Sequence, residues 1–230
     1  MSGRARAMPQ PPAVLQCDMP LDQIIGYSFV ALFVIIDPIG TAAMFVGLTR
    51  GLTEPASRRV ALRAVLIAGI LLLLFAFGGN ALLRGLAIGL PAFRIAGGVL
   101  LFLVAVDMVF ARRSGGRALT AQESEEVDPS HDISVFPLAI PLIAGPGALT
   151  TMVLLMGQAG SEPLARAAVV VVMVLVLAIT LAFLLMAPRI VRLLGTTGVN
   201  VVSRVLGILL AAVAVQLVLD GLIEGLDLRR

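Results

Sequence analysis

The chain contains no lysine and no tryptophan, and only one cysteine, one histidine and one tyrosine. The lone Cys17 excludes an internal disulfide and any pair of redox thiols, so a disulfide scaffold or a thiol-based membrane electron carrier drops out. With a single tyrosine and no tryptophan, the aromatic belts of a membrane interface are weak. Charged residues make up 13% of the sequence, where a soluble domain has ~25%. The acidic cluster Glu123, Glu125, Glu126, Asp128, His131 and Asp132 lacks the glycine-turn spacing of a calcium loop and reads as a solvated loop. There is no Ser-His-Asp arrangement and no phosphate-binding loop. The sequence therefore reads as non-enzymatic, with no cofactor and no metal site.

What is present is apolar. Of 230 residues, 59% are apolar, and the mean hydropathy is +1.05, where a soluble domain holds ~45–50% apolar residues. A 24.0 kDa globule cannot hide that much apolar surface from water, so lipid is the solvent and membrane lipids are the first partner. The net charge of +3 comes from 17 arginines that fall between apolar runs. They form a topology signal and no nucleic-acid surface.

Residues 1–20 are a flexible lead with Pro9, Pro11 and Pro12 close together, and lack the apolar core of a signal peptide. Residues 21–226 form one transmembrane domain. Six apolar segments, at about 23–49, 60–78, 91–110, 133–157, 167–187 and 201–219, can each span a bilayer, which takes ~17–25 residues. A polar loop, 111–132, separates repeat one (about 21–110) from repeat two (about 133–226). Each half holds three spans, an odd number, so the second half enters from the opposite side. The predicted fold is an all-α membrane protein of six transmembrane helices in two three-helix inverted-topology repeats, with helices 1 and 4 broken in mid-membrane. The loops after segments one, three and five carry 10 arginines and the opposite side 7, which puts both termini outside the cytoplasm.

The breaks are Asp37-Pro38-Ile39-Gly40 in segment one and Gly145-Pro146-Gly147 in segment four, with Pro38 and Pro146 108 residues apart. Broken backbone at membrane depth is tolerated where it is buried in protein or lines a cavity, and a matched pair of breaks points to a transporter site. Asp37 lies about 15 residues into its segment, within the ~30 Å hydrocarbon layer. It has two readings. It is a helix cap followed by proline at the first helical position, or it is a carboxylate that binds an ammonium or sodium or carries a proton. The half-helices that start at Pro38 and Pro146 aim positive ends inward, and the preceding half-helices end in free carbonyls. Opposed ends suit a zwitterion. Thr41, Thr150 and Thr151 add hydroxyls within the first turns. The predicted substrate-binding set is Asp37, Pro38, Gly40, Thr41, Gly145, Pro146, Gly147, Thr150 and Thr151.

Segment one with D-P-I-G, segment three with F-R-I-A-G-G, and segment four with F-P-L-A-I-P-L-I-A-G-P-G together resemble the MarC family of bacterial integral membrane proteins. The resemblance covers roughly 21–226 and implies a multi-pass protein of the bacterial inner (plasma) membrane. It further implies a link to the SnatA-type transporters of small neutral amino acids, near the LysE-type exporters. The chain departs from the D-P-I-G-N-x-P pattern of that family at Thr41 and Ala43. The expected function is a secondary transporter or exporter of a small zwitterionic or polar solute, a neutral amino acid foremost, by alternating access, with a proton or sodium as coupling ion. The alternative is a non-transporting membrane protein with a scaffold or envelope-integrity role. An intramembrane aspartyl protease would need a second facing aspartate, and the second break has none.

Overall fold

The computed structural model describes residues 20–110 and 132–226. Most of the lead 1–20 and of the loop 111–132 therefore lies outside the described residues. Those residues form α1 (Leu21–Ile36), α2 (Pro38–Leu48), α3 (Glu54–Gly85), α4 (Leu90–Phe110), α5 (Ser134–Ile143), α6 (Pro146–Gln158), α7 (Pro163–Leu185) and α8 (Ala187–Gly225), with no strand among them. Helices α2, α3, α6, α7 and α8 open with proline in the first two positions, where its missing N–H costs nothing and its fixed φ suits the helix.

Five helical stretches are long and apolar enough to cross a bilayer: Leu21–Leu48, Glu54–Gly85, Leu90–Phe110, Pro163–Leu185 and Asn200–Gly225. The pair α5–α6, bent by 54°, makes a broken sixth crossing or a re-entrant loop. The third segment is an unbroken helix through Gly97 and Gly98. Helix α3 runs 32 residues, well beyond the predicted 60–78. At 1.5 Å per residue it measures ~48 Å, longer than the ~30 Å hydrocarbon layer. Arg63 near its start is exposed and lies 3.5 Å from the Asp132 carboxylate. The Ser134 hydroxyl and N–H donate to Asp132 and, with Arg63, hold its carboxyl below the usual carboxylate range. Helix α8 bends at Gly195, whose φ of 65° is open to glycine and strained for other residues.

The first half of segment four departs from the expectation of a simple broken helix. In α5 the chain is extended at Phe136 and Ile140, and the wider bonds Leu138 N–H to Ile133 O and Ala144 N–H to Ala139 O replace the α-helical pattern. The reason is Pro137 and Pro141. Each lacks a donor and pushes the residue before it out of the α region. Both prolines follow cis peptide bonds.

Burial sorts the elements. Of the apolar window of α1–α2, 56% is buried, against 28% for α3 and α4. In α6 every residue from Thr150 to Met156 is buried. Leu66, Leu74, Phe77, Val171 and Val174, by contrast, are more than half exposed, as apolar side chains facing lipid must be. The broken elements are thus central and the unbroken α3 and α7 shield them, as irregular backbone in a bilayer requires. Helices α4 and α8 pack antiparallel through glycine. A Cβ at Gly98 would stand 2.8 Å from Ala214 O, at Gly207 3.2 Å from Ala105 O, and at Gly221 2.9 Å from Pro91 O. Small residues bring backbones this close where no hydrophobic force joins helices. Further contacts join α1 to α7 and α5 to α3, α2 to α8 and α6 to α4, and α2 to α7 and α6 to α3.

Candidate functional site

The first break is bridged by local hydrogen bonds. Asp37 is 1% exposed and left-handed at φ 47°, ψ 72°. Its N–H ends α1 by donating to Phe33 O at 3.0 Å, and its carbonyl starts α2 by accepting from Thr41 N–H at 2.9 Å. Its Oδ1 accepts from Gly40 N–H at 3.0 Å, which is helix capping. Any Cβ at Gly40 would fall within van der Waals overlap of the same carboxylate, so glycine is required there for the cap to fit. Thr41 turns its hydroxyl back onto Ile36 O at 2.8 Å, supplying a donor to a carbonyl that the break frees from α1. Asp37, Pro38, Gly40 and Thr41 thus form one capping unit, in which Asp37 serves the Gly40 N–H and Thr41 the Ile36 carbonyl.

The second break is open. Gly145 holds the cap position in extended conformation and has no side chain to cap α6. Its own Cβ position would lie 2.4 Å from Pro141 O, so only glycine allows α5 and α6 to meet there. Leu149 N–H makes the first helical bond, to Gly145 O at 3.0 Å. The N–H groups of Gly147 and Ala148 precede it and have no intrahelical acceptor, as at any helix start. Both residues line a cavity of about 20 Å³ with Ile35, Leu101, Val104 and the Pro141–Ile143 end of α5. That volume holds about one water molecule. Ile35, two residues before Asp37, lies against Gly147, so the two breaks are neighbours.

The predicted set therefore divides. Asp37, Pro38, Gly40 and Thr41 make the cap unit, and Gly145, Pro146 and Gly147 line the cavity beside it. Thr150 packs its methyl against Gly97 of α4. Thr151 faces a different cavity, with Tyr27 and Gln158. Gly147 is also tightly packed: a Cβ there would come 2.4 Å from a Leu101 methyl, so valine at this position disturbs packing as well as access. Reading the sequence missed Tyr27 and Gln158, and it missed the Arg94–Glu224 ion pair of 2.6 Å between the start of α4 and the end of α8. The signal for that pair was faint, since residues 130 apart meet only through antiparallel packing. Gln216 donates to Asp220 one turn along α8. Among the described residues no group of three or more His, Cys, Asp or Glu side chains is arranged to hold a metal.

Residues 22–226 match the family of MarC family integral membrane proteins. A UPF0056 membrane protein of Archaeoglobus fulgidus is 38% identical over 200 residues, which cover 86% of this chain and 92% of that protein. The UPF0056 membrane protein YvbG of Bacillus subtilis is 35% identical, covering 86% and 93%. The UPF0056 inner membrane protein YhgN of Escherichia coli is 36% identical over 203 residues, covering 88% and 97%. No solved structure matches. Buried, proline-broken spans inside a shell of lipid-facing helices, and a family match that runs the length of the transmembrane domain, lead to one conclusion: the chain belongs to the MarC family of integral membrane proteins.

Proposed function

We propose that this protein is a secondary transporter or exporter of a small zwitterion, a neutral amino acid, in the bacterial inner membrane. The observation that carries this reading is the cavity at the second break, which Gly147 and Ala148, in the first turn of α6, line together with Ile35 beside the first break. A helix start of this kind offers donors and roughly +0.5 charge to a carboxylate. The carbonyl end of α5 closes the same cavity and suits an ammonium group. Asp37 is a neighbour of this site through α1, and its carboxylate is the group for a coupling proton or sodium. The cavity has room for about one water and is too small for an amino acid, so binding requires the helices around it to part.

The packing pattern supports two inverted repeats, α1–α4 and α5–α8. Exchanging the halves turns the α1–α7 contact into α5–α3, α2–α8 into α6–α4, and α2–α7 into α6–α3. Both termini then lie on one side, outside the cytoplasm by the arginine count, and rocking of one half against the other alternates access. The name of the E. coli relative, an inner membrane protein, supports the location.

The test is uptake of single radiolabelled neutral amino acids into proteoliposomes. At least one should accumulate above protein-free liposomes, and Gly147→Ala, which adds a methyl to the wall of the cavity, should lower that uptake. No uptake of any amino acid in either direction would overturn the reading.

A further inference from the structure

We propose that the seam between α1 and α6 is the access path from the second break to the membrane face at which α6 ends, with Thr151 as a hydrogen-bonding station for the solute. This rests on the transport reading above and extends it. Ile35 of α1 and Gly147 and Ala148 of α6 line the cavity at the break. Ala31 and Tyr27 of α1, and Thr151 and Gln158 of α6, line a second cavity of about 10 Å³. Residues 27, 31 and 35 share one face of α1, and 147, 151 and 158 recur at helical spacing along α6. The two cavities therefore follow one another along the same pair of facing stripes, separated by about one helical turn.

Thr151 carries the inference. It is 5% exposed, and its hydroxyl has no hydrogen-bond partner. Thr41, Thr49 and Thr180 all turn their hydroxyls onto carbonyls of the preceding turn, at 2.8 Å each. That local bond is the usual resting place of a threonine inside a helix. Thr151 leaves it unmade and lines the cavity, where an unpaired buried hydroxyl is costly without a partner from outside the chain. Tyr27 and Gln158 add a phenol and an amide to the same cavity. All three groups both donate and accept, and none carries charge, so they can pass a zwitterion or its hydration water without trapping it.

The outer end of the seam is latched. Arg94, 14% exposed at its side chain, pairs with Glu224 at 2.6 Å and ties α4 to α8. Glu224 lies at the end of α8, the helix whose Val213 and Leu217 form a wall of the same cavity, so the pair fixes that wall against α4. Parting α4 from α8 breaks this contact and opens the seam.

The experiment is cysteine labelling with a charged, membrane-impermeant thiosulfonate, in the full chain carrying Cys17→Ser and reconstituted in vesicles. Single cysteines are placed at Thr151 and Tyr27, at the buried off-seam Thr180 and at the lipid-facing Val174. Ser161→Cys marks the face at which α6 ends and Thr53→Cys the other. Thr151→Cys and Tyr27→Cys should react from the Ser161 face roughly tenfold faster than Thr180→Cys and Val174→Cys, because only a water-exposed thiol ionises to the reactive thiolate. Glu224→Gln should raise the Thr151→Cys rate by about fivefold, the weight of a partly exposed ion pair. Labelling at Thr151 no faster than the two controls, or only from the Thr53 face, overturns the path, and an unchanged rate in Glu224→Gln overturns the latch. Uptake is measured on the same vesicles. Uptake without labelling sinks the path and leaves transport standing, and labelling without uptake of any amino acid sinks the transport reading and leaves a water path.

Discussion

Asp37 sits at φ 47° and ψ 72°, ends one helix with its N–H, and starts the next with its carbonyl and its carboxylate. The left-handed backbone is open to Asn and Gly and strained for branched residues. Gly40 is required by the same carboxylate, because a Cβ there strikes it. The two positions are therefore coupled. Asp37→Ala should lower stability by about 1 kcal/mol through loss of the cap, and Asp37→Asn should change it little. In the wild-type background Gly40→Ala should destabilise by displacing the carboxylate. In the Asp37→Ala background the sign should reverse, since alanine exceeds glycine in helix propensity by about 1 kcal/mol and nothing remains for it to strike. Thermal unfolding of the four proteins in detergent measures the cycle, and a Gly40→Ala effect of the same sign and size in both backgrounds would falsify the coupling. The D-P-x-G spacing was visible in the sequence. The closure of the first break by Thr41 was not, because a hydroxyl that donates to Ile36 O and one that faces a ligand are the same letter.

At the scale of elements, glycine divides into two kinds. Gly98, Gly207 and Gly221 lie where α4 and α8 approach within contact of each other's carbonyls, whereas Gly26 and Gly78 face open space. Gly98→Ala should destabilise by about 1–3 kcal/mol, the cost of overpacking a filled contact. Gly26→Ala should be neutral or stabilise by up to about 1 kcal/mol, because its only effect is on the helix backbone. Unfolding midpoints in the same detergent check both, and a Gly98→Ala protein as stable as Gly26→Ala would refute the tight α4–α8 seam. The helices themselves were legible in the sequence as apolar runs, whereas which glycines meet a neighbouring backbone depends on the packing of α4 on α8. The winding of α5 was not read, although Pro137 and Pro141 stood in plain view. Each of these prolines removes a donor from the helix, but proline alone does not distinguish a kink from a wider winding.

At the scale of the whole molecule, the proposed topology has a direct readout. A reporter that works only outside the cytoplasm, fused after Arg230, should be active, and one that works only inside should be active within the loop 111–132. The opposite pattern at both positions would invert the molecule in the membrane and leave its helices unchanged. Arg63 and Asp132 meet at 3.5 Å, which puts the start of α3 and the start of α5 on one side, as that topology requires.

The sequence by itself determined that lipid is the solvent, that the helices lie where the apolar runs lie, and that two of those runs are interrupted. These follow from composition and local chemistry: apolar length, proline without a donor, and glycine without a Cβ. Only the tertiary structure decided which break is closed and which is open. It also decided that Gly147 meets Leu101, that Thr151 faces a cavity of its own, and that Arg94 pairs with Glu224. Each of these depends on which helix face meets which neighbour. In a bilayer that choice is made by close packing of small residues across long sequence separations, and the apolar pattern along one helix carries little record of it, since lipid and protein neighbours are equally apolar.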